Sequence, residues 1–188
     1  SPADSELQAT YDGNLTADTY FCNSIGKSNA YFNMAIVGGY IQYGTKTTFL
    51  QAMHKANAAW TISFPFTTFD AVGTNEVFYS TAGSKATSRD GMFIRKVSNT
   101  SIEVTVMDGA GANALQEFFT ITSLTAHTDY FFVIAFDDVA ATLDLYVNRT
   151  AYNKTSVSLS SPSASNDTRD SKFLIGGGGD GPEAGTRF

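Results

Sequence analysis

Charged side chains are scarce in this sequence. Lys, Arg, Asp and Glu supply 16% of its 188 residues, well below the roughly 25% that is usual for soluble domains. Eighteen acidic residues outnumber twelve basic ones, which gives a net charge of −6, and the basic residues form no cluster. A nucleic-acid backbone or an anionic bilayer would repel such a chain, so we expect no nucleic-acid partner.

No apolar run approaches the roughly 20 residues that cross a membrane, so we also expect no membrane insertion.

Cysteine and histidine are almost absent. The single cysteine, Cys22, excludes an intrachain disulfide and a zinc site of the Cys-x-x-Cys kind. We expect Cys22 to be a small buried apolar residue, because no motif links it to His54 or His127. His54 is expected on the surface of a short helical segment at residues 47–58, of at most two turns.

Strand periodicity dominates the rest of the chain. Alternation over 60–66 places Trp60, Ile62, Phe64 and Phe66 on one face, and the proline at 65 indicates an edge strand or a bulge. Residues 130–136 are apolar on both faces, which predicts a central strand covered on both sides. In the strand that follows, Leu143, Leu145 and Val147 are predicted to point inward. Strands separated by turns, with scarcely any helix, indicate an all-β sandwich in one domain.

A hairpin is predicted around Asn99 and Thr100. A two-residue loop there would place Lys96 opposite Glu103 as a solvated cross-strand charge pair. It would also put Phe93 on the same face as four other apolar residues, Val97, Ile102, Val104 and Val106.

Four stretches together resemble the laminin-G-like family of the concanavalin A-like lectin and glucanase superfamily. They are Trp60 to Phe66, the hairpin from Asp90 to Asp108, the hairpin from His127 to Asn148, and Phe173 to Gly177. The resemblance implies a two-sheet antiparallel jelly roll over 30–188, preceded by a polar segment at 1–29 that is a linker or a first strand. Two departures stand out. Arg149 follows Asn148 where the family usually has glycine. No closing strand of the family's kind follows the glycine-rich stretch. The sheet edge that such a strand would cover is therefore expected to be covered by a partner segment.

Catalysis by a glycoside hydrolase requires two carboxylates held across the scissile bond. Related glucanases carry them in a Glu-x-Asp-x-x-Glu pattern, and none of the five glutamates stands in that pattern: Glu6, Glu76, Glu103, Glu117 and Glu183. No Gly-x-Ser-x-Gly elbow occurs either. We therefore expect no enzyme activity.

Oxygen-bearing side chains suited to Ca²⁺ are spread over the turns, where Asp and Asn are common in any case. Calcium is a candidate cofactor with no assigned ligand set, and the candidates are Asp70, Asn75, Asp90, Asp108, Asn113, Asp137, Asp138 and Asp180.

Glycan binding needs aromatic platforms with nearby polar groups. Tyr79 and Tyr146 lie opposite the inward positions of their strands, which places them either on an exposed face or in a second core layer. With the loop residues Asp108, Asn113 and Asp180 they form the predicted carbohydrate-binding set.

Three functions are compatible with these observations. The first is a non-catalytic module that binds glycan or a cell-surface receptor, as part of a larger extracellular or virion surface protein. The second is a structural sandwich of a capsid decoration or fibre, in contact with other chains or segments of its assembly. The third is a glucanase-like hydrolase. Sequons at five positions indicate surface loops: Asn14, Asn99, Asn148, Asn153 and Asn166.

Overall fold

The computed structural model describes residues 9–12, 40–43, 52–67, 76–81, 90–108, 112–126, 128–163 and 173–175. Eleven strands run through them: β1 (Ala9–Asp12), β2 (Tyr40–Tyr43), β3 (Ala59–Thr67), β4 (Glu76–Ser80), β5 (Asp90–Ser98), β6 (Ser101–Asp108), β7 (Asn113–Thr120), β8 (Asp129–Asp137), β9 (Thr142–Val147), β10 (Thr150–Thr155) and β11 (Phe173–Ile175). Helical geometry within these ranges is confined to the turns at 52–57. In the described part of the chain, no helix has the length and apolarity to cross a bilayer.

The strands form two antiparallel sheets. The larger has the order β1-β2-β11-β4-β5-β6-β7, and the smaller has the order β10-β9-β8-β3. The predicted all-β jelly-roll sandwich is therefore confirmed. The proline-bearing strand β3 lies at an edge, as expected for a residue with no N–H to donate, and β8 lies centrally between β3 and β9.

The core lies between the facing sides of the two sheets. Phe64, Phe66, Phe78 and Phe132 form its centre. The Phe64 and Phe132 rings stack at 5.4 Å between centroids, and the Phe66 and Phe78 rings meet edge to face at 4.9 Å. The predicted inward residues of β3 and β9 all pack into or against this core, because alternation along a strand sends every second side chain to the same face.

The β5–β6 register differs from the prediction by one residue. Ser98 pairs with Ser101 around the predicted turn, but a bulge then shifts the pairing, so that Glu103 lies opposite Arg95 and not Lys96. A one-residue slip turns each side chain to the other face. Lys96 consequently points into the sandwich, where it is 1% exposed and lies 6.0 Å from the Phe66 ring centroid.

The bulge also places Phe93 on the opposite face of the sheet from Ile102, Val104 and Val106, which were predicted to share its face. Ile102, Val104 and Val106 belong to the core between the sheets. Phe93 pairs with Thr105, whose side chain alternates to the opposite face. The expected stack of these residues with Phe93 and Val97 on one face is therefore wrong.

His54 is buried, at 2% exposure, and the prediction that it lies on the surface is wrong. The turns at 52–57 fold back onto β3, where the Trp60 indole Nε1–H donates to the Met53 carbonyl oxygen at 3.1 Å. This contact draws the neighbouring His54 into the interior.

The β9–β10 hairpin turns on Asn148, which has a positive φ of 55°. Its Oδ1 accepts from the Phe131 N–H at 2.8 Å, and its own N–H donates to the Phe131 carbonyl at 2.7 Å. Asparagine tolerates this backbone region better than other residues with a Cβ. The departure from the family's Asn-Gly pair thus leaves the left-handed residue itself in place.

We expect Asn148→Ala to lower the free energy of unfolding by about 1–3 kcal/mol, because alanine loses the acceptor and is strained at positive φ. Asn148→Gly should cost less, since glycine relieves the backbone strain and loses only the acceptor. Urea denaturation of both variants measures the difference. Equal losses of unfolding free energy in the two variants would show that strain at the positive φ of residue 148 does not contribute to the effect of alanine.

Candidate functional site on the four-stranded sheet

The outward side of the four-stranded sheet presents a regular array of side chains. We call it the Tyr146 face, and its residues are Thr61, Ser63 and Pro65 of β3, Phe131, Val133 and Ala135 of β8, Asp144 and Tyr146 of β9, and Ala151 and Asn153 of β10. They alternate with the core residues of the same strands, which is why they point away from the interior.

Phe131 is an exposed aromatic residue of this face, with 46% of its surface accessible. Val133 and Tyr146 lie opposite each other on neighbouring strands and are half-buried. The sequence predicted that β8 is covered on both sides, and this is wrong for its outward side, because Phe131 remains exposed there. An exposed phenylalanine beside a half-buried tyrosine is an apolar surface of the kind that marks a binding site.

Two polar side chains border the tyrosine. Asp144 lies two residues from Tyr146 along β9, and Asn153 lies directly opposite Asp144 on β10. These positions are separated by roughly 7 Å along a strand and roughly 4.8 Å between strands. Within the described ranges, neither side chain makes a hydrogen bond or ion pair. A carboxylate and an amide are therefore available to a ligand lying on the Tyr146 ring.

The outward side of the larger sheet holds a different polar group, the Glu103 cluster, consisting of Arg95, Glu103, Thr105 and Gln116. Arg95 Nε donates to Glu103 Oε2. Glu103 Oε1 accepts from Thr105 Oγ1 at 3.0 Å and from Gln116 Nε2 at 2.6 Å. Glu103 and Thr105 are both 0% exposed. The predicted solvated pair of Lys96 and Glu103 is therefore replaced by a largely buried pair of Arg95 and Glu103.

Among the described residues, the side-chain hydrogen bonds of Glu103 go to the other members of the Glu103 cluster. Each Glu103 oxygen already accepts at least one hydrogen bond, and Gln116 also accepts from Asn113 Nδ2 at 3.1 Å. Among the described side chains that neighbour Glu103 on this face, none is a second carboxylate: Val77, Phe93, Arg95, Thr105, Met107, Gln116 and Phe118. The paired acids that glycoside hydrolysis requires are not assembled there by described residues.

The structure does not bring the five predicted carbohydrate-binding residues together. Tyr146 lies on the exposed face, as one of the two alternatives predicted. Tyr79 lies in the core at 8% exposure, against Phe64 at 4.7 Å between ring centroids. A bulge between Val77 and Tyr79 turns it inward. Its expected place in an exposed site is therefore corrected.

Two of the three loop residues of the predicted set, Asp108 and Asn113, belong to the β6–β7 hairpin of the larger sheet. Asp108 Oδ1 accepts from the Ala112 N–H at 3.0 Å, and Asn113 contacts Gln116. They are therefore on a different sheet from Tyr146. Asp180 lies outside the described residues.

Sequence reasoning missed Phe131, Asp144 and Asn153 as partners of Tyr146. The sequence did show that the outward side of β8, which includes Phe131, is apolar. That side was predicted to be covered, so Phe131 was not considered as a surface residue. Asn153 was noted only for its sequon. Its place beside Asp144 follows from the register of the β9–β10 hairpin, which depends on a two-residue turn that composition does not specify.

The calcium candidates in the described ranges serve turns and loops. Asp137 Oδ1 accepts from the Ala140 N–H at 2.9 Å, and Asp138 accepts two backbone N–H groups. No three His, Cys, Asp or Glu side chains come close enough, among described residues, to hold a metal ion. Asp70, Asn75 and Asp180 fall outside those ranges, and Asp90 pairs with Asp108 at the start of β5.

No protein-family model and no curated protein matches the chain. Among solved structures, the chain is similar to the CBM40 module of the Ruminococcus gnavus IT-sialidase. In the form bound to α2,3 sialyllactose the TM-score is 0.53 at 12% identity, over 72% of this chain and 73% of that one. The form bound to α2,6 sialyllactose gives 0.51 at 12% identity, over 72% and 74%.

The binding domain of botulinum neurotoxin serotype G is a further similar structure. Its TM-score is 0.52 at 18% identity, over 90% of this chain and 42% of that one, so the present chain spans less than half its length. At identities this low, the similarities show the fold alone, and that fold is a jelly-roll sandwich.

Proposed function

We propose that the chain is a non-catalytic recognition module that binds glycan through the Tyr146 face. The observation that carries the proposal is the combination of exposed aromatic surface with polar side chains that have no internal partner. Phe131 and Tyr146 supply the surface, and Asp144 and Asn153 supply the polar groups.

Sugars present an apolar side of C–H groups and a rim of hydroxyls. The apolar side would stack on the Tyr146 ring, which offers a rigid contact area with few rotatable bonds. The hydroxyls would donate to the Asp144 carboxylate and exchange hydrogen bonds with the Asn153 amide. A mainly apolar surface with a few placed polar groups is the general composition of a small-ligand site.

Two observations support a module over an enzyme. The CBM40 structures with a similar fold are carbohydrate-binding modules, and two of them hold sialyllactose. The described residues around Glu103, on the other sheet, offer one carboxylate where hydrolysis needs two.

Two further parts of the proposal are the family of the module and the kind of protein that carries it. We propose a laminin-G-like domain, supported by the four resembling stretches, which lie in order on β3, β5–β6, β8–β9 and β11. We also propose that it is displayed by a larger extracellular or virion surface protein. The exposed Asn148 sequon is compatible with an exterior position.

Tyr146→Ala is expected to weaken glycan binding about tenfold or more, corresponding to at least about 1.4 kcal/mol, because the stacking surface is removed. A glycan array screened with and without calcium identifies a ligand, and isothermal titration then compares the variant with the parent chain. Phe118→Ala is the matched control. It removes an aromatic side chain of the same 46% exposure as Phe131 from the larger sheet, and binding should be unchanged.

Equal weakening by both substitutions would contradict a site on the Tyr146 face. An array on which no saccharide binds would reject glycan recognition and favour the alternative function, a structural sandwich in a capsid decoration or fibre. In that case the Tyr146 face would be a packing surface, and Tyr146→Ala would alter assembly.

A further inference from the structure

We infer that the Tyr146 face selects uncharged glycans over glycans that carry a carboxylate. This inference rests on the proposed function and names the class of ligand that the same site takes. It differs from what the similar CBM40 structures hold, which is sialyllactose, and it comes from the charges of the face itself.

All charges on the outward side of the four strands are negative. Asp129, Asp137 and Asp144 occupy alternate outward positions of β8 and β9. The one basic residue within these strands is Lys154 of β10. Its position alternates with that of Asn153, so it points inward, where its Nζ lies 2.5 Å from Glu117 Oε2 and 5.4 Å from the Phe119 ring centroid. Lys154 is therefore not available to an anionic ligand on this face.

Among the described basic residues, Arg149 is the one that lies in a turn joining two strands of this sheet. It lies in the turn beyond the end of β9, after Asn148, which is itself bonded to Phe131. Asp129, at the start of β8, lies at this same end of the sheet. Arg149 thus lies on the far side of Tyr146 from Asp144 along the sheet.

Asp144 is the acid that acts on the bound sugar, because it is the outward neighbour of Tyr146 along β9. A sugar carboxylate stacked near Tyr146 would lie roughly 7 Å from it. Repulsion at that separation near a protein surface, screened by physiological salt, weakens binding by about five- to tenfold. A neutral sugar meets the same Asp144 as a hydrogen-bond acceptor and gains from it.

The test uses the full chain and an array of matched pairs, in which each neutral oligosaccharide stands beside the same oligosaccharide capped with sialic acid. Lactose and α2,3-sialyllactose are one such pair. We expect the neutral member to bind about five- to tenfold more tightly. Asp144→Asn, which preserves shape and breaks no described contact, should reduce this ratio to about twofold or less. Raising the salt concentration should reduce it as well.

Asp137→Asn is the matched control. It makes the same change in net charge on the outward side of the same sheet, four residues along β8 from Val133, the partner of Tyr146. At that greater separation the charge is screened, so the ratio should be unchanged. Sialylated members that bind as tightly as their neutral partners, or more tightly, would overturn the inference while leaving glycan recognition standing. Absence of binding to both members of every pair would overturn the proposed function and this inference together.

Discussion

Glu103→Ala is expected to lower the free energy of unfolding by about 3–5 kcal/mol, because it leaves Arg95 without its counter-charge in a buried setting. The side chain of Glu103 is 0% exposed, and that of Arg95 is 14% exposed. The substitution also removes the acceptor for Thr105 Oγ1 and Gln116 Nε2. Urea denaturation followed by tryptophan fluorescence measures the loss, since the one tryptophan, Trp60, lies in the core.

Glu117→Ala is the matched control for burial. Glu117 also pairs with a basic residue on another strand, but its side chain and that of Lys154 are 29% and 30% exposed. Water can replace the partner there, so the expected loss is about 1 kcal/mol or less. If Glu103→Ala and Glu117→Ala lower the free energy of unfolding by the same amount, burial of the Glu103 ion pair does not make its loss more costly.

A double substitution separates the charge from the packing. Exchange of Arg95 and Glu103 together for apolar residues of similar size should cost far less than Glu103→Ala, because no uncompensated charge remains. A double variant as unstable as Glu103→Ala would instead show that the loss comes from altered side-chain packing and not from an unpaired charge.

The sequence predicted the fold because the strands of the smaller sheet follow alternation closely. The inward residues of β3 and β9 were identified from a period of two, and their hydrophobic surface leaves them little choice of face. Pro65 likewise placed β3 at an edge, since proline lacks the N–H that a central strand would use.

Bulges limited what could be predicted for the larger sheet. The extra residue between Lys96 and Ser98, and the one between Val77 and Tyr79, change which side each later residue faces. Neither is marked by glycine or proline, so no local signal shows where alternation breaks. Glu103, Lys96 and Tyr79 were misplaced for this single reason.

The candidate site could be predicted only in part because it depends on pairing between strands. Tyr146 was identified from its own strand. Phe131 and Asn153 join it through the β8–β9 and β9–β10 registers, which are properties of two turns and not of any one segment. A continuous apolar strand such as β8 gives no indication of which side remains exposed.

Asp138→Ala is expected to lower the free energy of unfolding by about 2–4 kcal/mol, because one carboxylate joins three segments that are distant in sequence. Asp138 Oδ2 accepts from the Asn57 N–H at 2.8 Å, and Oδ1 accepts from the Leu159 N–H at 2.7 Å. Its own N–H donates to the Ala58 carbonyl at 2.9 Å. Without the side chain, the turns at 52–57 and the segment at 157–160 lose their shared attachment to the β8–β9 loop.

The adjacent Asp137 supplies the control. Its Oδ1 accepts one N–H, from Ala140 within the same loop, so Asp137→Ala should cost only about 1 kcal/mol. Hydrogen exchange gives a second measurement that stability alone does not. In Asp138→Ala the amides of Asn57 and Leu159 should exchange faster than the rest of the sandwich, whereas in Asp137→Ala they should keep the protection of the parent chain. Equal costs for the two substitutions, with unchanged exchange at Asn57 and Leu159, would mean that the three segments are joined by packing rather than by the Asp138 carboxylate.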